Sequence, residues 1–380
     1  MDTFPKSLPQ GLLRWSLCAA ALIPSAAFLA VSAPGELASV ARRLAPVLLF
    51  VAGMSVTVNL AASAGAFDAI ARGLEKWTRS QRALWGGIVG IAAVCTIFLS
   101  LDTTAIMITP MAVALARRNG LKVVPVAFAV MWIANLGSML LPVSNLTNLL
   151  AAGSHQFASE ADFIRLAAAP AGAALLVAIA ASWIAYIRDK GEPATPPVSV
   201  GSGDHGSALQ IALIVLALLP PALLSPIPYW AVSTLAAAVL YATAGHLRRG
   251  EGLVPWFSVA LAATFSFGAT AAIAGGLELN ISGLLPIAAA GALAANTANN
   301  LPAYFLLEPA ADTPRQIIAL LVGVNCGPVV TPWASLATLL WHDQLRRAGV
   351  QIPWKDVVRR GALLAPFAVA VPLGALMVAG

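Results

Sequence analysis

Charge-free apolar stretches, separated by short polar breaks, run along nearly the whole chain. Residues 15–35, 44–67, 83–101, 123–159, 166–187, 208–245, 256–277, 279–307, 316–341 and 361–380 contain no Asp, Glu, Lys or Arg. Spanning the hydrocarbon of a bilayer takes about 20 apolar residues per helix, so nearly every stretch is long enough. The run 208–245 holds two helices, because Pro220, Pro221, Pro226 and Pro228 cluster at its middle. The pattern predicts helices over 11–31, 44–62, 123–150, 162–187, 208–225, 228–246, 254–276, 314–341 and 357–379. Two further segments, 83–119 and 283–308, carry polar tips between apolar arms: Ser100–Thr104 and Asn296–Asn300. Both read as re-entrant hairpins that enter and leave on the same side. The fold class is therefore all-α, a polytopic membrane protein.

Within this pattern one peptide is written twice. Asn135–Leu150 and Asn325–Leu340 lie 190 positions apart and share Asn135/Asn325, Gly137/Gly327, Pro142/Pro332, Leu146/Leu336, Leu149/Leu339 and Leu150/Leu340. Each copy puts Gly and Pro where a membrane helix should be continuous. Gly and Pro are common in membrane helices, but a shared register over six positions points to two matched, broken helices. Such pairs mark the midplane binding site of secondary transporters. The hydrophilic segment 188–207, rich in Pro, Gly and Ser, then divides the chain into a first membrane repeat, 1–187, and a second, 208–380. Each repeat holds one hairpin (83–119 or 283–308) and one broken helix (123–150 or 314–341).

Charge fixes the orientation. With the N-terminus cytoplasmic, nine crossings and two non-crossing hairpins, every Lys and Arg except Arg42, Arg43, Arg165 and Arg315 falls on the cytoplasmic side, as the positive-inside bias requires. The linker is then cytoplasmic, and helices 123–150 and 314–341 run in opposite senses, giving inverted repeats. Residues 66–77 alternate apolar and charged positions and suit an amphipathic helix on the cytoplasmic surface.

Composition agrees: 59% apolar residues, 10% charged and a mean hydropathy of +0.84. The net charge of +6 follows from topology, so nucleic acid is not an expected partner. Residues 11–33 are long for a signal-peptide core. Three Cys in separate apolar segments and four scattered His match no metal, cofactor or disulfide spacing. No nucleophile–base set or nucleotide motif appears, so an enzyme is the least expected class.

Irregular backbone at membrane depth survives only buried in protein or lining a cavity. The two tips and two breaks should therefore converge, and with them Asp102, Thr103, Thr104, Asn135, Ser144, Asn145, Thr147, Asn148, Asn296, Thr297, Asn299, Asn300, Asn325, Thr331 and Ser335, the expected substrate-binding set. Thr109 and Thr338 read equally well as hydroxyls bonded to their own backbone. Asp102 is the one acidic residue placed at depth, where an ionisable group costs about 3 kcal/mol and is by default functional; it is the expected proton-coupling residue. Glu278, Glu308 and Asp312 are expected to be solvated near the outer surface. Cys326 is a lone thiol and reads as a small buried apolar residue.

These residues resemble the arsenite efflux permeases (arsenical pump membrane protein family) of the ion transporter superfamily, which also holds dicarboxylate, citrate and sodium/proton carriers. The likeness runs from about Ala64 onward. It is strongest in Leu101–Pro110, Val143–Asn148, Asn299–Pro302, Gly323–Pro328 and Ser335–Trp341. The family pattern usually has Asp where this chain has Asn325, and again close to Asn135, and one N-terminal helix is lacking. The resemblance implies export of arsenite or antimonite across the bacterial inner membrane, either by a proton-coupled carrier or with an arsenite-stimulated ATPase subunit. The expected partners are the lipid bilayer and that small inorganic substrate, with the ATPase subunit and a homodimer left open. The carrier alternative is an organic-anion (dicarboxylate or citrate) or sodium/proton transporter of the same superfamily. Arsenous acid is uncharged at neutral pH and suits amide and hydroxyl groups, which both donate and accept. No Lys or Arg lies in the expected core to meet a carboxylate.

Overall fold

The computed structural model describes residues 10–189, 206–247, 256–277 and 279–379. Most of the 188–207 linker, together with Lys6, Arg248, Arg249 and Glu278, lies outside the described residues. Those residues fold into helices joined by short turns. In chain order they are α1 (Gln10–Ser32), α2 (Pro34–Ser63), α3 (Ala66–Trp77), α4 (Gln81–Leu99), α5 (Leu101–Thr103), α6 (Thr109–Arg118), α7 (Val123–Leu136), α8 (Leu146–Ala152) and α9 (Glu160–Arg188). After the linker come α10 (Gly206–Leu223), α11 (Tyr229–Ala244), α12 (Trp256–Ala274), α13 (Leu284–Ala298), α14 (Asn300–Leu307), α15 (Pro314–Leu321), α16 (Leu336–Arg347) and α17 (Trp354–Val378).

Seven helical stretches among the described residues are long and apolar enough to cross a membrane: Trp15–Ser32, α2, α4, α9, α10, Tyr229–Leu247 and α17. The chain is a multi-pass all-α membrane protein. α4, at 19 residues, is about 28 Å long, so its length alone would carry it across. The halves of the two interrupted segments are shorter: α7 has 14 residues and α8 seven, about 21 and 10 Å.

The helix expected at 44–62 begins ten residues earlier, at Pro34. Proline at the first helical position and Glu36 in the first turn are both start signals. The charges of Arg42 and Arg43 had ended the apolar run in the sequence. Arg43 is nonetheless accommodated inside the protein. Its guanidinium donates to both carboxylate oxygens of Glu308 and to the carbonyl of Leu150. The Tyr304 hydroxyl donates to the same carboxylate at 2.8 Å. Glu308, expected to be solvated, is instead half of a half-buried ion pair that ties α2 to the end of α14. The pairing also explains how an arginine is tolerated within an otherwise apolar helix.

Two residues other than glycine have positive φ among the described residues: Ser100 (φ 96) and Asn299 (φ 125). Each sits at a polar tip. Ser100 separates α4 from α5, and Asn299 separates α13 from α14. Backbone strain of this kind costs about 1–3 kcal/mol and collects at functional sites. Each strained residue also caps the half-helix it starts. Ser100 Oγ accepts from the Thr103 amide at 3.4 Å and Asn299 Oδ1 from the Leu301 amide at 3.2 Å. π-helical turns, another frequent mark of functional sites, follow α5 at Thr104–Ile108 and α15 at Val322–Cys326.

The packing crosses between the halves of the chain. α5 and the Thr104–Ile108 turn lie against α16, whereas α14 lies against α8, and the Val322–Cys326 turn touches α7, α14 and α17. Close approach is set by small residues. A Cβ on Gly323 would come within 2.2 Å of the Ala288 carbonyl, and one on Gly327 within 2.6 Å of the Ala292 methyl. Small residues spaced four apart on both partners let the two backbones touch, the usual way membrane helices pack.

Candidate functional site

Asn325, in the second π-helical turn, is bonded at both ends of its carboxamide to the first half of the chain. Its Oδ1 accepts from Thr147 Oγ1 at 2.7 Å and Asn145 Nδ2 at 3.0 Å; its Nδ2 donates to Asn148 Oδ1 at 2.8 Å. Asn145 also donates to Ser138 Oγ at 3.3 Å and caps α8 by accepting from the Thr147 amide. Asn148 Nδ2 donates to the carbonyls of Ser138 and Leu141 at 2.7 and 3.0 Å. All five residues are buried. The result is a polar clasp between the two helix breaks, with nearly every donor and acceptor satisfied. The two breaks fold that way because Pro142 and Pro332 withhold a helical amide and the Asn side chains supply the missing bonds.

Around the second tip, Asn296 is the organiser. Its Nδ2 donates to the Gly327 carbonyl (2.9 Å), and its Oδ1 accepts from the Val330 and Thr331 amides. Thr331 Oγ1 donates to the Asn296 carbonyl at 2.7 Å. Asn299 Nδ2 donates to the Trp333 carbonyl, and the Asn300 amide to that of Ala334. Trp333 Nε1 returns a bond to the carbonyls of Asn296 and Thr297. Tip and break are thus stapled to each other. Thr297 does not join them through its side chain, which is exposed and donates to the Leu293 carbonyl one turn back.

The first tip is held differently. Thr104 Oγ1 donates to the Ser100 carbonyl and lies 2.9 Å from Thr96 Oγ1; Ser100 Oγ donates to Thr103 Oγ1. Ser144 Oγ donates to the Ile97 carbonyl at 2.7 Å, joining the first break to α4. Asn135 donates to its own helix at Met131. What distinguishes this side is a set of buried oxygens with no partner: Asp102 Oδ1, Thr109 Oγ1, Ser335 Oγ and Thr338 Oγ1. They belong to the Leu101–Arg118 segment and to α16 with the residue before it, Ser335, and the two elements pack on each other. Ser335 stands where Asn145 stands in the first copy, yet its hydroxyl caps nothing. Thr109 and Thr338 do not bond their own backbones. A buried hydroxyl or carboxylate left unpaired costs about 1–3 kcal/mol, and these four belong to elements that pack on each other. Asn135 Oδ1 is a fifth such atom.

The predicted residues thus fall into a clasp (Asn145, Thr147, Asn148, Asn325), a stapled tip (Asn296, Asn299, Asn300, Thr331) and an unpartnered side (Asp102, Ser335, with Thr103 and Thr104 beside it). No hydrogen bond among the described residues joins the clasp to the stapled tip. Ser138 and Trp333 were missed from the sequence. Ser138 lies one turn beyond Asn135 inside the repeated peptide, and that position was its only signal. Trp333 had none, because a tryptophan at a membrane break ordinarily reads as interfacial.

A family described as citrate transporter matches residues 12–338. The chain belongs to that family. Among its relatives, the arsenical pump membrane protein of Yersinia enterocolitica is 29% identical over 354 residues, covering 80% of this chain and 79% of the relative. The arsenical pump membrane protein of Escherichia coli K12 is 27% identical over 348 residues, with the same coverage. In fold the chain is similar to the YdaH transporter of Alcanivorax borkumensis, with a TM-score of 0.57 at 15% identity over 97% of both chains. The motif resemblance to arsenical pump membrane proteins accords with these relatives. This citrate transporter family member is a secondary transporter.

Proposed function

We propose that the protein exports arsenite and antimonite across the bacterial inner membrane, coupled to protons through Asp102, by alternating access between inverted repeats 1–187 and 208–380. The observation that carries the reading is the unpartnered oxygen set at Asp102, Thr109, Ser335 and Thr338. Three hydroxyls and a carboxyl offer donors and acceptors to a small trihydroxide without demanding charge on it. The clasp of Asn145, Thr147, Asn148 and Asn325 is the element that must open and re-form as access alternates. The tips act as re-entrant hairpins, the N-terminus and the 188–207 linker are cytoplasmic, and the cross-packing of α5 on α16 and of α14 on α8 couples the halves.

The family description favours a second reading, citrate or another carboxylate as cargo. Against it, no Lys or Arg occurs in 83–116, 123–159, 279–307 or 316–341, and Arg43 is already matched by Glu308. A multiply charged anion at this site would lack a cation. Uptake of arsenite, antimonite and citrate into everted membrane vesicles decides the matter. Export of the metalloids predicts uptake of the first two and not of citrate; uptake of citrate alone overturns the assignment.

A further inference from the structure

A groove on the outside of the molecule, away from the clasp and tips, has the make-up of a phospholipid site. It is a cavity of about 710 Å³ between α9 and α17 with part of α7 behind it. Its rim is formed by Ile184, Leu363, Phe367 and Val371, all exposed, which in this protein means exposed to lipid. One end is charged: Arg188, Asp189 and Arg360 line it.

That end carries an excess of positive charge. Arg360 Nη2 approaches Asp189 Oδ2 at 3.7 Å, and Lys122 Nζ donates to the Asp189 carbonyl. Among the described residues there, Arg188 and Arg360, with Lys122 bonded to the Asp189 carbonyl, outnumber the one carboxylate. Arg360 is fixed in place by stacking over Phe128, 4.7 Å from its ring centre. Its Nε is buried and has no acceptor. Trp132, which lines the groove and is 4% exposed, keeps its indole N–H buried with no acceptor either. Two orphaned donors beside this basic cluster call for an anionic ligand with several acceptor oxygens.

The apolar part has a definite length. From Arg360 to Val371 along α17, and from Val177 to Arg188 along α9, eleven residues rise about 16 Å. That is about half the hydrocarbon thickness, one leaflet. We infer that the α9–α17 groove binds an anionic glycerophospholipid, its phosphate at Arg188 and Arg360, its ester region at the Trp132 N–H, and an acyl chain along Leu363, Phe367 and Val371. Basic pockets between membrane helices are a recognised way to hold anionic head groups. A second copy of the chain is the weaker occupant, because twofold pairing here would set the two basic ends side by side at the same depth.

The site lies on α9 and α17, one of the helix pairs that join the two halves of the chain, so the lipid would bridge them. Native mass spectrometry of the whole protein in detergent tests this, with phosphatidylglycerol, phosphatidylcholine of the same chains, or inorganic phosphate added. The expected result is retention of phosphatidylglycerol over phosphatidylcholine, no retention of phosphate, and about fivefold weaker phosphatidylglycerol binding by Arg188→Gln, equivalent to ~1 kcal/mol for one basic residue near the surface. Arg188 is exposed, so that variant keeps the fold, and Leu363→Asp, at the exposed rim, should abolish the retention. Equal binding of the two lipids, unchanged binding by both variants, or a dimer that Leu363→Asp splits into monomers would overturn the inference. None of these outcomes depends on what the protein transports.

Discussion

Asn325 and Asp102 stand at opposite ends of hydrogen-bond satisfaction. The Asn325 carboxamide holds Asn145, Thr147 and Asn148 together, so Asn325→Ala should leave three buried groups short of a partner, at about 1–3 kcal/mol each. Arsenite resistance conferred on an exporter-deleted host should be lost at matched expression, and Asn145→Ala should act in the same direction. Full protection by both variants would show the clasp to be packing only. Asp102 has a buried oxygen with no partner, the condition expected of a group that exchanges a proton or meets cargo. Asp102→Asn cannot titrate at any physiological pH. It should lose movement of arsenite driven by a pH gradient, keep downhill exchange and flatten the pH dependence of transport. An unchanged pH profile would remove Asp102 from the coupling. At this scale the sequence revealed which polar residues were unusual, because Asn and Asp at membrane depth are costly and hence informative. It did not reveal which were satisfied. Asn145 and Ser335 occupy the same position in the repeated peptide, yet one caps its helix and the other bonds to nothing.

Among elements, the breaks were legible and their surroundings were not. The tips at Ser100–Thr104 and Asn296–Asn300 were marked by polarity, and the helices are interrupted there, at Ser100 and Asn299. The start of α2 was hidden, because Arg43 interrupts the apolar run and its partner Glu308 lies 265 residues away. Long-range pairing leaves no periodic trace. The paired glycines illustrate the same limit. Gly137 and Gly327 coincide in the repeat, but a Cβ on Gly137 would meet nothing closer than 3.5 Å, whereas one on Gly327 would lie 2.6 Å from the Ala292 methyl on α13. Gly327→Ala should therefore lower the thermal unfolding midpoint in detergent, by the about 1–3 kcal/mol typical of overpacking. Gly137→Ala should leave it nearly unchanged. Equal effects from the two would mean that α13 does not pack on the Val322–Cys326 turn as closely as described.

For the molecule as a whole, two polar groups inside an apolar body add to the helix packing that links distant parts: the clasp between the two breaks, and the Arg43–Glu308–Tyr304 group joining α2, α8 and α14. Glu308→Gln would leave the Arg43 charge facing a neutral amide. Because both side chains are partly exposed, the loss should be moderate, about 1–3 kcal/mol, read as a lower unfolding midpoint at unchanged membrane insertion. No change would make the pair a surface contact. On the proposed function, a pH gradient drives export of a neutral metalloid. Its most direct test is arsenite accumulation by proteoliposomes containing only the purified protein, without ATP, under an imposed pH gradient. The expected result is accumulation that collapses when the gradient is dissipated and that is absent with Asp102→Asn. No accumulation of arsenite under the gradient, with citrate accumulating in the same vesicles, would contradict it.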